Sequence, residues 1–357
     1  MTTPRPTTPA TTSSHTDLAA SPTPSAFTAD SFASVEEVTA ALAARQYIAD
    51  RGLATAIYLA LKRHKPLLLE GEPGVGKTEV ARVLAEVLGA PLIRLQCYEG
   101  IDQATAVYEW NYARQLLYIR LLEAESQPQG TPDAPQTPHA RSAGETGLTQ
   151  SDRALQRSSQ IRDVFGPDFL IKRPLLEALE AADDRAPVLL IDELDRSDAE
   201  FEAYLLELLG DYQITIPELG TFRAQQPPVI VLTSNRTRDI HDALRRRCLY
   251  YWIDYPTLEK EYAIVRTRAP EASDTLARQV VAFAQALRNE DLFKAPGVAE
   301  TLDWLSSLVT LEYAELTEQG ARDALGALLK YQDDVQKVTA GNLLERLVEK
   351  ARGAVAR

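Results

Sequence analysis

The sequence predicts an α/β fold in which a mostly buried parallel sheet carries a phosphate-binding loop, followed by a C-terminal region built of helices. Three observations predict it. The first is Gly71-Glu72-Pro73-Gly74-Val75-Gly76-Lys77-Thr78, a GxxxxGK[ST] loop lying between the apolar run Pro66 to Leu69 and a helical pattern of Val80, Val83, Leu84, Val87 and Leu88. The second is a pair of apolar runs that read as strands buried on both faces, Val188 to Ile191 and Val229 to Leu232, each ending in polar residues. The third is the stretch after Thr257, where Leu276, Val280, Phe283 and Leu287 recur at helical spacing and Pro270 and Pro296 mark boundaries.

Composition narrows the function. The chain has 357 residues and a net charge of -13, which disfavours a generally basic nucleic-acid binder and makes a protein partner the expectation. Its two cysteines, Cys97 and Cys248, form no disulfide framework and are expected as buried thiols, and the four histidines have no companions at metal-ligand spacing. No apolar run is long enough to span a bilayer and no basic-then-apolar leader opens the chain, so a cytoplasmic location is expected.

Taken in order, residues 1 to about 32 are rich in Thr, Ser, Pro and Ala and are expected to form a disordered tail. Ser34-Val35-Glu36-Glu37 is a capping-box pattern, and Asp50 caps a second helix whose apolar face is Leu53, Ala56, Ile57, Ala60 and Leu61. Tyr47 and Ile48, just before it, are candidates for contact with an adenine base, with ordinary core packing as the alternative. In the phosphate loop, Gly71, Gly74 and Gly76 let successive backbone N–H groups turn toward phosphate oxygens, and the helix starting there adds its positive end. The segment from Gly71 through Glu79 is the expected ATP-binding element, with Lys77 on the β- and γ-phosphates and the Thr78 hydroxyl on Mg²⁺.

Leu92 to Cys97 reads as the next strand, and the aromatic-rich Tyr108-Glu109-Trp110-Asn111-Tyr112 either faces a substrate or packs a helical insert. Residues from about 126 to 152 return to Pro, Gln, Gly, Ser and Thr and are expected to be a flexible insertion. Val188 to Glu193 ends in paired carboxylates, where Asp192 is placed to hold Mg²⁺ and Glu193 to polarise the attacking water. Asn235, just past the Val229 strand, can bond the water and the γ-phosphate, although a lone Asn there also reads as a turn residue. Arg245-Arg246-Arg247 precede the strand Leu249 to Ile253; they read as a solvated face or, at a subunit edge, as a source of charge for a neighbour's site.

The order of these motifs resembles that of AAA+ ATPases. The Gly71 to Thr78 loop, Asp192-Glu193-Leu194-Asp195-Arg196, and Ala243 to Cys248 leading into Tyr255-Pro256 are similar to the MoxR family. Leu95 to Gly100 and Tyr108 to Tyr112 carry a fainter likeness to CoxD-like carbon monoxide dehydrogenase maturation ATPases. The resemblance spans roughly residues 35 to 350. It implies a five-stranded parallel P-loop core over residues 33–255, a helical lid over 256–357, and a ring, commonly a hexamer, with ATP between subunits. It also implies Arg247 as the arginine finger with Arg246 as runner-up, the Tyr212 to Phe222 hairpin facing the pore or substrate, and a von Willebrand factor A domain partner. The expected activity is Mg-dependent ATP hydrolysis that remodels a protein client, with a metalloenzyme as candidate. The alternatives are a nucleotide-controlled binding module with slow turnover and, less favoured, a DNA-acting motor. The chain departs from the family where the lid often carries a sensor arginine: it reads Lys294-Ala295-Pro296-Gly297-Val298, so Lys294 substitutes or the contact is missing.

Overall fold

The computed structural model describes residues 32–126, 164–181 and 186–355. The tail expected over residues 1 to about 32 and the insertion expected at about 126–152 lie outside them, apart from their edge residues. One edge corrects an expectation. Phe32, assigned above to the tail, is 1% exposed and packs with Val38 and Leu42, so the core begins before the Ser34 cap.

Helices α1 (Val35–Ala44) and α2 (Arg51–Lys62) are capped as their sequences dictate: the Ser34 and Asp50 side chains accept the backbone N–H groups of Glu37 and Leu53. Strand β1 (Leu67–Gly71), the glycine loop and α3 (Lys77–Leu88) follow, then β2 (Leu92–Gln96). After the short α4 (Gln103–Ala106), β3 (Tyr108–Trp110) and α5 (Tyr112–Ser126), β4 (Leu170–Lys172) returns antiparallel to β3 and leads into α6 (Pro174–Leu179). Then come β5 (Val188–Asp192), α7 (Ala199–Asp211), a hairpin of β6 (Gln213–Ile216) and β7 (Gly220–Arg223), β8 (Val229–Ser234), α8 (Asp242–Arg247) and β9 (Leu249–Ile253).

Five strands form one parallel sheet in the order β2-β5-β8-β1-β9. The alternation of side chains along a strand sorts their residues onto two cores. Leu68, Leu189, Ile191, Ile230 and Leu232 face α6 and α7, while Leu67, Leu69, Val188, Leu190 and Val231 face α1, α2 and α3. Both faces are covered, which is why β1 and β5 are buried along their whole length. Edge strand β2 instead alternates exposed and buried residues, and its exposed set includes Arg94 and Gln96.

The C-terminal helices make a third core. It is built from α9 (Leu258–Arg268), α10 (Asp274–Leu287), α11 (Val298–Thr310), the short α12 (Glu318–Asp323), α13 (Leu325–Leu328) and α14 (Gln332–Thr339), and α15 (Leu343–Val355). Trp304 is fully buried there, 4.7 Å from the Phe283 ring. A buried ion pair ties three of these helices together: Arg288, at the C-cap of α10, donates through both terminal nitrogens to Glu261 of α9, each at 2.6 Å, and Thr301 of α11 donates to the same carboxylate at 2.9 Å. Among the described residues no helix is long and apolar enough to cross a membrane.

Candidate nucleotide site

The parallel sheet places the carboxyl ends of β1, β5 and β8 side by side, so the glycine loop, the Asp192-Glu193 pair and Asn235 converge although they are far apart in sequence. Gly74 and Gly76 sit in the left-handed region, with φ of 77° and 93°, which strains any side chain there. At Gly71 the constraint is space, because a Cβ would lie 2.3 Å from the Ile253 carbonyl oxygen of the neighbouring strand. Lys77 is 6% exposed, and its Nζ donates to the Gly71 and Glu72 carbonyl oxygens, each at 2.7 Å. Burial pulls the Lys77 ammonium down to about 8, against the opposing pull of Asp195, Glu72, Asp192 and Glu193.

Thr78 and Asp192 meet directly, the threonine hydroxyl donating to Asp192 Oδ1 at 3.0 Å. Asp192 is 2% exposed and has two further partners. Thr233 donates to its Oδ1 at 2.6 Å, and Arg94 forks onto Oδ2 at 2.6 and 3.1 Å. Glu193 stands in the left-handed region at φ 55°, a strained backbone for a glutamate, and its N–H donates to the Thr233 hydroxyl at 2.9 Å. Its carboxylate is engaged by Gln96 Nε2 at 2.9 Å and Arg196 Nε at 3.0 Å. Asp195 anchors the loop that bears Asn235, accepting the backbone N–H groups of Asn235 and Thr237 at 3.2 and 2.9 Å. Burial alone would raise the Asp195 carboxyl, but bonds from Thr237 and Asn235 hold it below its usual range.

Gly74 through Thr78, Asp192, Glu193 and Asn235 open onto a cavity of about 650 Å³, the size class of small-molecule sites, whereas Gly71 and Glu72 lie outside its lining. Tyr47 and Ile48 line it together with Ile253, Ile264 and Leu302, an apolar wall suited to a flat base. Burial, with Asp50 and Glu79 nearby, pushes the Tyr47 hydroxyl well above its usual range, so it is a neutral hydrogen-bonding group at the wall. The helical region closes the cavity across the loop: the Val298 and Ala299 N–H groups at the start of α11 donate to the Gly74 carbonyl at 3.0 and 3.3 Å. A Cβ on Gly297 would lie 2.8 Å from Pro73 O and from Gly74 Cα, so this approach requires glycine.

The donor set fits Mg·ATP. A cradle of left-handed glycines, a buried lysine bonded to loop carbonyls, and one hydroxyl and one carboxylate in contact supply the parts that a phosphate-bound Mg²⁺ takes from protein. Among the described residues no cluster of three or more His, Cys, Asp or Glu could hold a metal on its own.

Not every expected residue joins the cavity. Arg246 and Arg247 are exposed and do not line it; Arg246 lies 3.6 Å from Asp242 and Arg247 donates to the Ala243 carbonyl. Their neighbour Arg245 is structural, bonding the buried Glu70 at 2.7 Å. Lys294 also fails to line the cavity, because its loop is tied back by Asp334, which accepts the Phe293 and Lys294 N–H groups. Tyr108 and Trp110 pair edge to face at 5.8 Å and Trp110 packs on Phe165, away from the cavity. Cys97 is buried as expected whereas Cys248 is half-buried, and burial pushes both thiols up to about 12. Arg94, Gln96, Thr233, Lys260 and Arg268 line or brace the site without belonging to any motif. The one available signal was the spacing of Arg94 and Gln96, two apart on a strand that pairs with β5.

Residues 66–127 match the AAA domain of the dynein-related subfamily. A stretch of 49 residues is 43% identical to midasin from Giardia intestinalis, a match that covers 14% of this chain and 1% of midasin. Among solved structures, a RuvB variant from Thermotoga maritima is similar over 86% of this chain and 74% of its own, at 16% identity and a TM-score of 0.42. The Thermotoga maritima RuvB Holliday junction branch migration motor is similar over 84% of this chain and 71% of its own, at 16% identity and a TM-score of 0.40. The AAA-domain match covers the glycine loop with its flanking strand and helix, and the described residues place that loop on a five-stranded parallel sheet.

Proposed function

We propose that this chain binds Mg·ATP in the cavity above β1, β5 and β8 and uses its hydrolysis to remodel a protein client. The contact between Thr78 and Asp192 at 3.0 Å carries the reading, because it joins the phosphate loop to a carboxylate 114 residues away at the point where a divalent ion would sit. When bound there, Mg²⁺ neutralises developing phosphate charge. The chain's own residues do the rest. Lys77 binds the β- and γ-phosphates, Glu193 accepts a proton from the attacking water, and Asn235 orients that water. Tyr47 and Ile48 wall the base.

Arg247, with Arg246 beside it, is assigned to the site of an adjacent subunit in a ring, since both are exposed and neither reaches its own cavity. The likeness to MoxR and CoxD-like proteins supports a metalloenzyme client and a von Willebrand factor A domain partner. The chain's net charge of -13 supports a protein client over DNA.

Hydrolysis by the wild type and by Glu193→Gln, together with capture of proteins by the Glu193→Gln chain in ATP, tests this. The variant should bind ATP, lose turnover and retain client. Undiminished turnover removes Glu193 from its role, and hydrolysis stimulated by DNA but by no protein replaces the client reading. For the shared site, mixing Arg247→Ala with Lys77→Ala subunits should restore activity that each lacks alone; normal hydrolysis by Arg247→Ala overturns it. One observation favours a second reading, a nucleotide-controlled binding module with slow turnover: Gln96 and Arg196 both hold the Glu193 carboxylate. Client release that follows ATP occupancy with no hydrolysis would establish it.

A further inference from the structure

The carboxylate at the end of β5 carries a cation of its own, supplied by the edge of the sheet. Strand β2 pairs with β5 so that Gln96 lies opposite Asp192, and Arg94, two residues earlier on the same face, reaches along the sheet to the same carboxylate. Its Nη2 and Nε both donate to Asp192 Oδ2, at 2.6 and 3.1 Å. Among the described residues that line the cavity, Arg94 is the only basic side chain bonded to Asp192.

Support and charge are separate at this carboxylate. Asp192 is held in place without Arg94, because the strand beneath it is buried along its whole length and Thr233 and Thr78 donate to the other oxygen, Oδ1, at 2.6 and 3.0 Å. Arg94 is attached more loosely. Its side chain is 54% exposed against 4% for that of Asp192, and Nη2 also donates to Gln96 Oε1 at 2.5 Å, which gives the guanidinium a second seat on its own strand. What Arg94 adds is one positive charge beside a buried negative one.

That charge acts on any ion the carboxylate takes. A divalent cation held by Asp192 next to Thr78 is attracted by the carboxylate and repelled by the guanidinium bonded to it, so the pair by itself offers such an ion little net charge. A polyphosphate in the glycine loop brings negative charge that Arg94 does not cancel. We propose that Arg94 is a built-in counter-cation that sets the divalent-ion affinity of the site, so that the ion is held with the nucleotide and released with it. This rests on the Mg·ATP reading above and adds to it a residue outside the motifs.

Manganese, which electron spin resonance counts directly, serves as the probe. Mn²⁺ is titrated into the full chain in the presence of ADP, for wild type, Arg94→Gln, Arg94→Lys, and Arg94→Gln combined with Asp192→Asn. Arg94→Gln should hold Mn²⁺ about tenfold more tightly than wild type, because the competing charge is gone while a hydrogen-bonding side chain remains. Arg94→Lys keeps the charge and should resemble wild type. The double variant should lose the gain, which locates the ion at Asp192. A residue that merely positions Asp192 gives the opposite sign, since its loss loosens the ligand. Unchanged or weaker Mn²⁺ binding in Arg94→Gln, an equal gain in Arg94→Lys, or a gain that survives in the double variant overturns the proposal. Wild type that takes up no ADP, with or without the ion, overturns the nucleotide reading itself, a result separable from the others.

Discussion

The two sides of the cavity are built on different principles. On the sheet side, one contiguous loop and three strand ends supply the polar groups, and backbone geometry fixes them: two left-handed glycines, a buried lysine, and Asp192 at the end of a fully buried strand with Glu193 just past it. On the helical side no motif is present. Contact is made by the α11 N–H groups on Gly74 O, the Lys260–Asp50 pair and the Arg268–Glu79 pair, all between segments more than 180 residues apart in the chain. Backbone geometry fixes the sheet side, whereas the helical side is joined to it by a few polar contacts between distant segments.

The largest test of this contrast is on the sheet side. Glu193→Gln should lower turnover by about 100- to 10,000-fold, the range for removing a general base, while leaving Mg·ATP affinity nearly unchanged in equilibrium binding. An equal loss of affinity would place Glu193 in binding. Next, Arg288→Ala should destabilise the helical region by about 3–5 kcal/mol, since it strands the Glu261 carboxylate in the core. Thermal unfolding followed by circular dichroism should show this, and an unchanged melting point would mean that Glu261 finds another partner.

Gly297→Val is the direct probe of the seam. The added carbons meet Pro73 O and Gly74 Cα, so the start of α11 must lift from the loop at a cost of about 1–3 kcal/mol. Hydrogen exchange at Val298 and Ala299 should rise while the sheet stays protected; unchanged protection would show that the loop yields instead.

The smallest effect is a pH dependence. With Lys77 lowered to about 8, its charge is present below that pH and lost above it, so Mg·ATP binding should weaken as pH rises from 7 to 9. The stability of the protein alone should move the other way between about 8 and 10.5, because the folded chain sheds a proton that the unfolded chain keeps. Calorimetry at pH 8 in buffers of different ionisation heat should register proton uptake on binding, and its absence would leave Lys77 charged throughout.

Much of the sheet side was legible from residue order, since the loop, the Val188 and Val229 runs and the helix caps are local patterns whose conformations depend on near neighbours. The aromatic stretch was harder: Tyr108 to Trp110 is a short strand paired with residues about 60 positions downstream, and Tyr112 begins a helix, a split that no local periodicity signals. Phe32 was lost for the opposite reason, an isolated aromatic in a tract rich in Thr, Ser, Pro and Ala that sequence alone does not distinguish from Phe27 and that only its burial assigns to the core.

The sequence by itself determined the phosphate loop, the acidic strand end and the helical character of the C-terminal region, because each is set by glycine freedom, side-chain periodicity or capping within a few residues. Only the tertiary structure decided that Arg94 and Thr233 hold Asp192, that Gln96 and Arg196 hold Glu193, and that α9 rather than Lys294 brings charge to the cavity. Those partners come from neighbouring strands and a distant helix. Their meeting depends on strand order and on how the helices pack over the loop, which no short stretch of the chain encodes.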